Sequence, residues 1–154
     1  MSDPRTGIFV ATMTGLAELC AEEVQRALAG QGINATIHPM DGLAADKLDD
    51  FDVIVIVSST YGHGDIPDNG QAFFSGVENH TPLTNKSYTV FGLGDRTYAD
   101  TFCHAGEKWD ALLLKKGATR LAPLMRHDAS DGTLAEDAAG VWAAEWARLL
   151  KRVA

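Results

Sequence analysis

The chain has 154 residues, which is the length of a single domain that can bury a substantial core. Hydrophobic residues make up 45% of it and charged residues 22%, a composition typical of globular proteins. Thirteen basic and twenty-one acidic residues give a net charge of −8, which argues against nucleic-acid binding because that function needs a basic face. The expected partners are small molecules or basic protein surfaces.

The sequence contains no segment that predicts membrane insertion or secretion. The longest unbroken apolar run is Val53–Val57, far shorter than a membrane span, and residues 1–5 lack the apolar stretch of a secretory signal. Two cysteines, Cys20 and Cys103, are too few for a disulfide framework or a cysteine zinc site. These features favour a cytoplasmic location.

Apolar strand patterns and amphipathic helix patterns alternate along the whole chain. This alternation predicts a parallel sheet covered by helices on both faces. The predicted strands are 7–11, 35–39, 53–57, 88–93 and 120–125. The first predicted helix has Leu16, Cys20, Val24 and Leu28 on a single face and ends at Gly30. The other predicted helices are a short one at 71–78, one from about 102 to Gly117, and one from Leu134 to Val153.

Two prolines predict which strands lie at the edges of the sheet. Proline cannot donate a ladder hydrogen bond, so Pro39 and Pro123 place the second and fifth strands at the edges. The third strand, Val53–Val57, is apolar at every position, as expected of a strand that is buried on both faces. The order 2-1-3-4-5 satisfies both requirements and predicts a ligand site at the carboxyl ends of strands one and three.

The loop after the first strand carries hydroxyl groups and a glycine immediately before a helix. In chain order its residues are Thr12, Met13, Thr14 and Gly15, and the helix opens with Leu16 and Ala17. A helix amino terminus offers free N–H groups and the positive end of its dipole, which suits a phosphate held by neutral donors. The alternative is that the two threonines only cap the helix.

Each of the next two loops places a tyrosine among glycines after a central strand. The second loop contains Tyr61 between Thr60 and Gly62, and the third contains Tyr98 shortly after Gly94. Two aromatic rings at neighbouring strand ends can hold a planar ring system between them. The alternatives are a glycine-rich turn with a surface tyrosine and packing of the rings in the core.

Three motifs together resemble the flavin loops of the flavodoxin family. They are TMTG at 12–15, STYGHGD at 59–65 and FGLGDRTY at 91–98. The resemblance covers essentially the whole chain and is to short-chain flavodoxins of the MioC type and to the FMN domains of diflavin reductases such as the sulfite reductase flavoprotein. It implies one domain over residues 1–154 with the flavodoxin-like three-layer α/β fold and a five-stranded parallel sheet of order 2-1-3-4-5.

The resemblance also implies bound FMN in an electron carrier that shuttles electrons from an NAD(P)H-dependent flavoprotein reductase to an acceptor enzyme. It assigns the phosphate to residues 12–17, places the isoalloxazine ring between Tyr61 and Tyr98, and puts an aspartate near the ring at Asp131, with Asp128 as the rival position. The implied FMN-binding residues are Thr12, Met13, Thr14, Gly15, Leu16, Ala17, Ser59, Thr60, Tyr61, Gly62, His63, Gly64, Leu93, Gly94, Asp95, Tyr98, Phe102, Cys103 and Asp131.

The chain departs from the family pattern at three places. Leu16 stands where the family usually has a hydroxyl residue, although its backbone N–H remains available. His63 replaces the usual glutamate of the related domains, and because histidine titrates near neutral pH, the flavin potential is expected to vary with pH. The segment 99–101 is one residue longer than in many relatives.

Other functions fit the same fold. One is a flavin-bearing accessory or regulatory protein, which has no distinguishing sequence feature. Another is a small NAD(P)H-dependent quinone or flavin reductase, which needs room for a second nucleotide. A phosphoacceptor regulator needs an aspartate at the end of the third strand, and this chain has Ser58 and Ser59 there.

The remaining reactive side chains predict neither a nucleophile nor a metal site. Cys103 and His104 are sequence neighbours, so their side chains diverge on a helix, which disfavours nucleophilic catalysis. Cys20 lies on the apolar face of the first helix and is expected in the core. No metal-ligand spacing relates the five histidines, which are His38, His63, His80, His104 and His127.

Overall fold

The computed structural model of the protein describes residues 4–12, 15–60 and 64–153, without the side chains of residues 98–100 and 151–153. Strands and helices alternate along most of it, as the sequence predicts. In chain order they are β1 (Thr6–Ala11), α1 (Leu16–Gly30), β2 (Ala35–Pro39), β3 (Val53–Ser58), α2 (Asp68–Glu78), β4 (Ser87–Gly94), α3 (His104–Lys115), β5 (Thr119–Arg120), β6 (Met125–Asp128) and α4 (Ala135–Val153). Short 3₁₀ turns cover Ala45–Asp50, Arg96–Thr101 and Ala129–Asp131.

The strands form one parallel sheet of order β2-β1-β3-β4-β5, in which β6 also pairs with β4. The predicted order and direction of the strands are confirmed. In the ladder, Ala11 of β1 lies beside Ser58 of β3, and Ser58 lies beside Gly92 of β4. The carboxyl ends of three neighbouring strands therefore meet at the same edge of the sheet.

The predicted fifth strand, 120–125, is divided into two shorter strands. β5 pairs with residues 87–88 of β4, and β6 pairs with residues 91–94 of the same strand. Between them the chain leaves the ladder around Pro123, which has no N–H to donate. The proline marks a sheet edge as predicted, but it also interrupts a strand that the apolar pattern had suggested to be continuous.

Two hydrophobic layers fill the space between the sheet and the helices. Val53, Val55 and Val57 of β3 pack in the layer under α1 and α4, whereas Ile54 and Ile56 pack in the layer under α2 and α3. Because both faces of β3 are buried, the strand is apolar at all of these positions. Burying an aliphatic side chain of this size contributes roughly 1.5–3 kcal/mol relative to leaving it exposed.

The helix pair α1 and α4 covers one face of the sheet. Cys20, Val24 and Leu28 of α1 are completely buried, which confirms the predicted apolar face and the core position of Cys20. α4 meets them with buried alanines at every fourth position from Ala139 to Ala147, and such small side chains let two helices approach closely. In the described residues, no helix combines the length and the hydropathy needed to cross a membrane.

Candidate functional site

The carboxyl edge of the sheet gathers the loops that follow β1, β3, β4 and β6. β1 continues into α1 on one face of the sheet, whereas β3 continues into α2 on the opposite face. The chain diverges there and leaves a crevice, the place where open α/β sheets bind their ligands. β6 adds a fourth loop because Asp128 at its end pairs with Gly94 at the end of β4.

The amino terminus of α1 lies at this edge. Gly15 precedes the helix in the left-handed region, at φ 90°, and has no side chain with which to cap it. Thr12 closes the loop, because its Oγ1 accepts the N–H of Gly15 at 3.0 Å. Among the described residues, a Cβ on Gly15 would meet no atom within 4 Å. The N–H groups of Leu16 and Ala17, at the first turn, have no acceptor within the helix. The start of α1 can therefore receive an anion.

Asn69 connects the start of α2 to the first loop. Its Nδ2 donates a 2.7 Å hydrogen bond to the main-chain oxygen of Thr12, although the two residues are 57 positions apart. Its Oδ1 is buried and has no hydrogen-bond partner among the described residues. Asn69 thus fixes the position of Thr12. The sequence did not mark Asn69 as a site residue. Its place at the start of a helix is the one feature of the sequence that could have suggested this role.

The second loop stays attached to β1 for one residue beyond the strand. The N–H of Ser59 donates to the oxygen of Ala11 at 3.0 Å, and the hydroxyl of Ser58 donates to the oxygen of Ser59 at 2.9 Å. The Oγ1 of Thr60 is buried without a partner among the residues described. A buried polar group left in this way costs about 1–3 kcal/mol, which a polar ligand beside it would recover.

The third loop packs tightly against the start of α3. A Cβ on Gly94 would lie 2.6 Å from the backbone nitrogen of Cys103 and 3.0 Å from its Sγ, so the backbone fits there only with glycine. Cys103 itself adopts the left-handed region, at φ 55°. Next to it, the ring of Phe102 lies 4.4 Å from the guanidinium carbon of Arg96, in a cation–π contact. These contacts fix the path of the loop that contains Tyr98.

The two rival aspartates, Asp128 and Asp131, have different partners. Asp128 Oδ1 accepts the N–H of Arg96 at 3.0 Å and also the N–H and hydroxyl of Ser130, at 2.9 and 2.7 Å. The hydrogen bond from Arg96 is the main cause that lowers the pKa of Asp128. Asp131 accepts the hydroxyl and N–H of Thr133 in its own turn, and these bonds lower its pKa. Asp128 therefore joins the third and fourth loops.

Neither cysteine has the properties of a nucleophile. Burial raises the pKa of Cys103 to about 12, and its Sγ points toward the main-chain oxygens of Gly92 and His127. Burial likewise raises the pKa of Cys20 to about 12. Because the thiolate is the reactive form of cysteine, both residues are inert near neutral pH.

A groove of about 710 Å³ between α4 and the end of β6 is a second concave surface. Apolar side chains line most of it, among them Leu134 and Val141, which are 60% and 63% exposed. None of the FMN-binding residues predicted from the sequence lines this groove. It is therefore distinct from the crevice between β1 and β3.

The fold and the converging loops define a doubly wound α/β protein, in which the crevice between β1 and β3 is the candidate ligand site. The sequence model of the flavodoxin family matches residues 8–142, and the chain belongs to that family. Flavodoxins are electron carriers rather than enzymes.

Individual relatives agree with this membership. Flavodoxin YqcA of Escherichia coli K12 is 37% identical over 146 residues, which cover 94% of this chain and 97% of that protein. Protein MioC of the same organism is 33% identical over 138 residues, with coverage of 89% and 92%. A solved flavodoxin from Pseudomonas aeruginosa, a cysteine-to-alanine mutant, superposes with a TM-score of 0.86 at 33% identity, covering 96% of this chain and 99% of that one. The resemblance read from the three loop motifs is thereby confirmed.

The predicted FMN-binding residues divide into those that the structure describes and those that it does not. The described ones lie in or beside the loops of the carboxyl edge and are Thr12, Gly15, Leu16, Ala17, Ser59, Thr60, Gly64, Leu93, Gly94, Asp95, Phe102, Cys103 and Asp131. Outside the described residues lie Met13, Thr14, Tyr61, Gly62, His63 and the side chain of Tyr98. Their contact with a flavin stays a prediction in both groups.

The unusual Leu16 has a structural explanation. Its side chain is partly buried and packs against the hydrophobic layer under α1 and α4. An apolar residue is therefore favoured at this position, and the backbone N–H is unaffected by the change of side chain. Any anion at the start of α1 still meets that donor.

Substituting Gly94 by alanine should displace the third loop. The new Cβ would collide with a backbone nitrogen, which cannot rotate away, so we expect the free energy of unfolding to fall by about 1–3 kcal/mol. Gly92→Ala is the matched control, because its Cβ would meet no atom closer than 3.4 Å. Chemical denaturation of both variants measures the difference. Equal losses in the two variants, or none in Gly94→Ala, would contradict the tight packing.

Both cysteines should resist thiol reagents in the native protein. With thiol pKa values of about 12, the reactive thiolate stays scarce until the pH approaches that value. We therefore expect slow labelling by Ellman's reagent from about pH 7 to pH 9, and release of two thiols on unfolding in guanidinium chloride. Rapid labelling of the folded protein would contradict this, and Cys103→Ala would show which residue reacts.

Proposed function

We propose that the chain binds FMN in the crevice between β1 and β3 and carries single electrons from an NAD(P)H-dependent flavoprotein reductase to an acceptor enzyme. The observation that carries this proposal is the position of the amino terminus of α1. It follows Gly15, which is in the left-handed region, and lies beside the carboxyl ends of three neighbouring strands. This arrangement suits a planar ligand that ends in a phosphate. Membership of the flavodoxin family supports the same cofactor.

The phosphate of FMN fits the start of α1. The N–H groups of Leu16 and Ala17 are available there, and the helix dipole adds positive potential. Residues 12–17 contain no lysine or arginine, so the anion is held by neutral donors. Thr12 is 7% exposed and accepts a hydrogen bond from Asn69, which fixes the position of Thr12.

The flavin ring belongs beside the second and third loops. Main-chain groups near Ser59 and Gly94 would face it, and the buried Oγ1 of Thr60 offers a polar group without another partner among the described residues. We propose Tyr61 and Tyr98 as the side chains that stack on the ring. FMN supplies the one-electron chemistry, while the chain binds it, orients it and excludes water from it.

The apo-protein should bind FMN more tightly than FAD, because the start of α1 accepts a terminal phosphate and the sequence has no glycine fingerprint for a dinucleotide. Asn69→Ala should weaken FMN binding about 2- to 10-fold, as expected for the loss of one hydrogen bond to the loop. Gln71→Ala is the control, since Gln71 lies on the same helix and donates instead to the oxygen of Ile66. Quenching of flavin fluorescence measures each affinity.

Equal or tighter binding of FAD would overturn the cofactor assignment. Equal losses of FMN affinity in Asn69→Ala and Gln71→Ala would show that Asn69 has no specific role in the site. Adding NADPH to the FMN-loaded protein tests the electron-carrier part separately. A carrier stays oxidised until a reductase is supplied. Reduction by NADPH alone would identify a self-sufficient reductase instead.

Acidic side chains beside the site suggest how a reductase docks. Glu18 at the start of α1 and Asp68 at the start of α2 are both exposed. Asp65 is close to them in sequence but forms an ion pair with Lys108 at 3.6 Å, which partly neutralises it. Glu18 and Asp68 therefore supply negative charge that can steer a basic partner surface toward the flavin.

The double variant Glu18→Gln/Asp68→Asn should slow reduction by a purified NADPH-dependent flavodoxin reductase several-fold at low ionic strength and flatten its salt dependence. Steering of this kind changes association rates by about 10- to 1000-fold and is screened by salt. The control is Asp50→Asn/Glu78→Gln, which removes the same charge before β3 and at the end of α2. Stopped-flow absorbance follows the reaction. Identical reduction rates for the two double variants would show that the rate depends on net charge alone and would contradict docking at Glu18 and Asp68.

A further inference from the structure

A cluster of three potential metal ligands lies at the amino-terminal edge of the sheet, opposite the carboxyl edge that carries the crevice. Asp46 and Asp49 belong to the 3₁₀ turn that precedes β3, and His80 follows the end of α2. A 3₁₀ helix has three residues per turn, so the two aspartates lie on the same face of it. The histidine and carboxylate ligand atoms all lie within 4.8 Å of one another.

His80 is held in the orientation of a metal ligand. Its side chain is only 4% exposed, and its Nδ1 lies 2.7 Å from the main-chain oxygen of Thr81. A carbonyl oxygen can only accept, so Nδ1 carries the hydrogen. This leaves Nε2 as the atom that faces the carboxylates, at 3.2 Å from Asp49 and 3.7 Å from Asp46. A hydrogen bond from the other ring nitrogen to a carbonyl is the usual way in which a ligating histidine is oriented.

We propose that Asp46, Asp49 and His80 form a binding site for a divalent transition-metal cation of the Zn²⁺ type. Ligand atoms about 2.0–2.1 Å from such a cation lie roughly 2.9–3.4 Å apart. The separation between His80 and Asp49 already falls in this range, and the one to Asp46 needs only a small rotation of a side chain that is 89% exposed. One nitrogen and two carboxylates suit Zn²⁺ better than Mg²⁺ or Ca²⁺, which prefer oxygen ligands.

The neighbouring lysines leave the carboxylates available. Lys86 donates to the main-chain oxygen of Phe51, and Lys116 donates to the main-chain oxygens of Glu78 and His80. These bonds fix the peptide groups of the two segments that carry the ligands. Asp46 and Asp49 then present two carboxylates to a dication. A bound cation would connect the turn before β3 to the end of α2.

An ion pair between a doubly protonated His80 and the two aspartates has the same geometry and is the competing explanation. Calorimetric titration of the tag-free, FMN-loaded full chain with Zn²⁺ distinguishes the two. We expect one bound Zn²⁺ per chain, a higher unfolding temperature in its presence, and no such rise with Mg²⁺. Asp46→Asn and His80→Asn should each weaken Zn²⁺ binding at least about tenfold, since even the partners of metal ligands contribute that much.

Asp50→Asn is the matched control, because Asp50 lies in the same turn but pairs with Lys47 at 3.3 Å. It should keep the affinity of the unmodified chain. Absence of Zn²⁺ binding, binding that survives both ligand substitutions, or an equal loss in Asp50→Asn would each overturn the site. Circular dichroism of each variant checks that the fold is retained.

Discussion

The parallel register of β1, β3 and β4 is the constraint on which the rest of the structure depends. It places Ala11, Ser58 and Gly92 side by side, so that three loops from distant parts of the chain leave the sheet at one edge. A slip of β3 by one residue would exchange the valines of one layer for the larger isoleucines of the other, which close packing disfavours. The crevice follows from the opposite directions in which the chain leaves β1 and β3.

The register alone does not fix the loops, which are held by a few specific contacts. Asn69 holds Thr12 from the start of α2, Gly94 allows the third loop to rest on Cys103, and Asp128 joins that loop to the fourth. Each contact connects a loop to a rigid element and reduces the ordering that a ligand must otherwise impose.

Most of the fold could be predicted from the sequence, because the alternating periodicities indicate the parallel sheet and two prolines place the second and fifth strands at its edges. The division of the last strand could not, since the apolar run through Pro123 gives no sign of where the ladder breaks. Contacts between residues far apart in the chain, such as Asn69 with Thr12, also leave no local pattern. The cluster around His80 could not be predicted either. The spacing of the histidines gives no sign of it, because the neighbours of His80 in space are aspartates of another segment.

The central claim is that the start of α1 and the ends of β3 and β4 together bind FMN. Nuclear magnetic resonance of the ¹⁵N-labelled chain during titration with FMN tests it most directly, because every backbone N–H reports its own environment. The account predicts the largest shifts at Gly15, Leu16, Ala17 and Gly94, with the groove along α4 unaffected. Shifts concentrated at Val141 and its neighbours on α4, with the start of α1 unchanged, would contradict it.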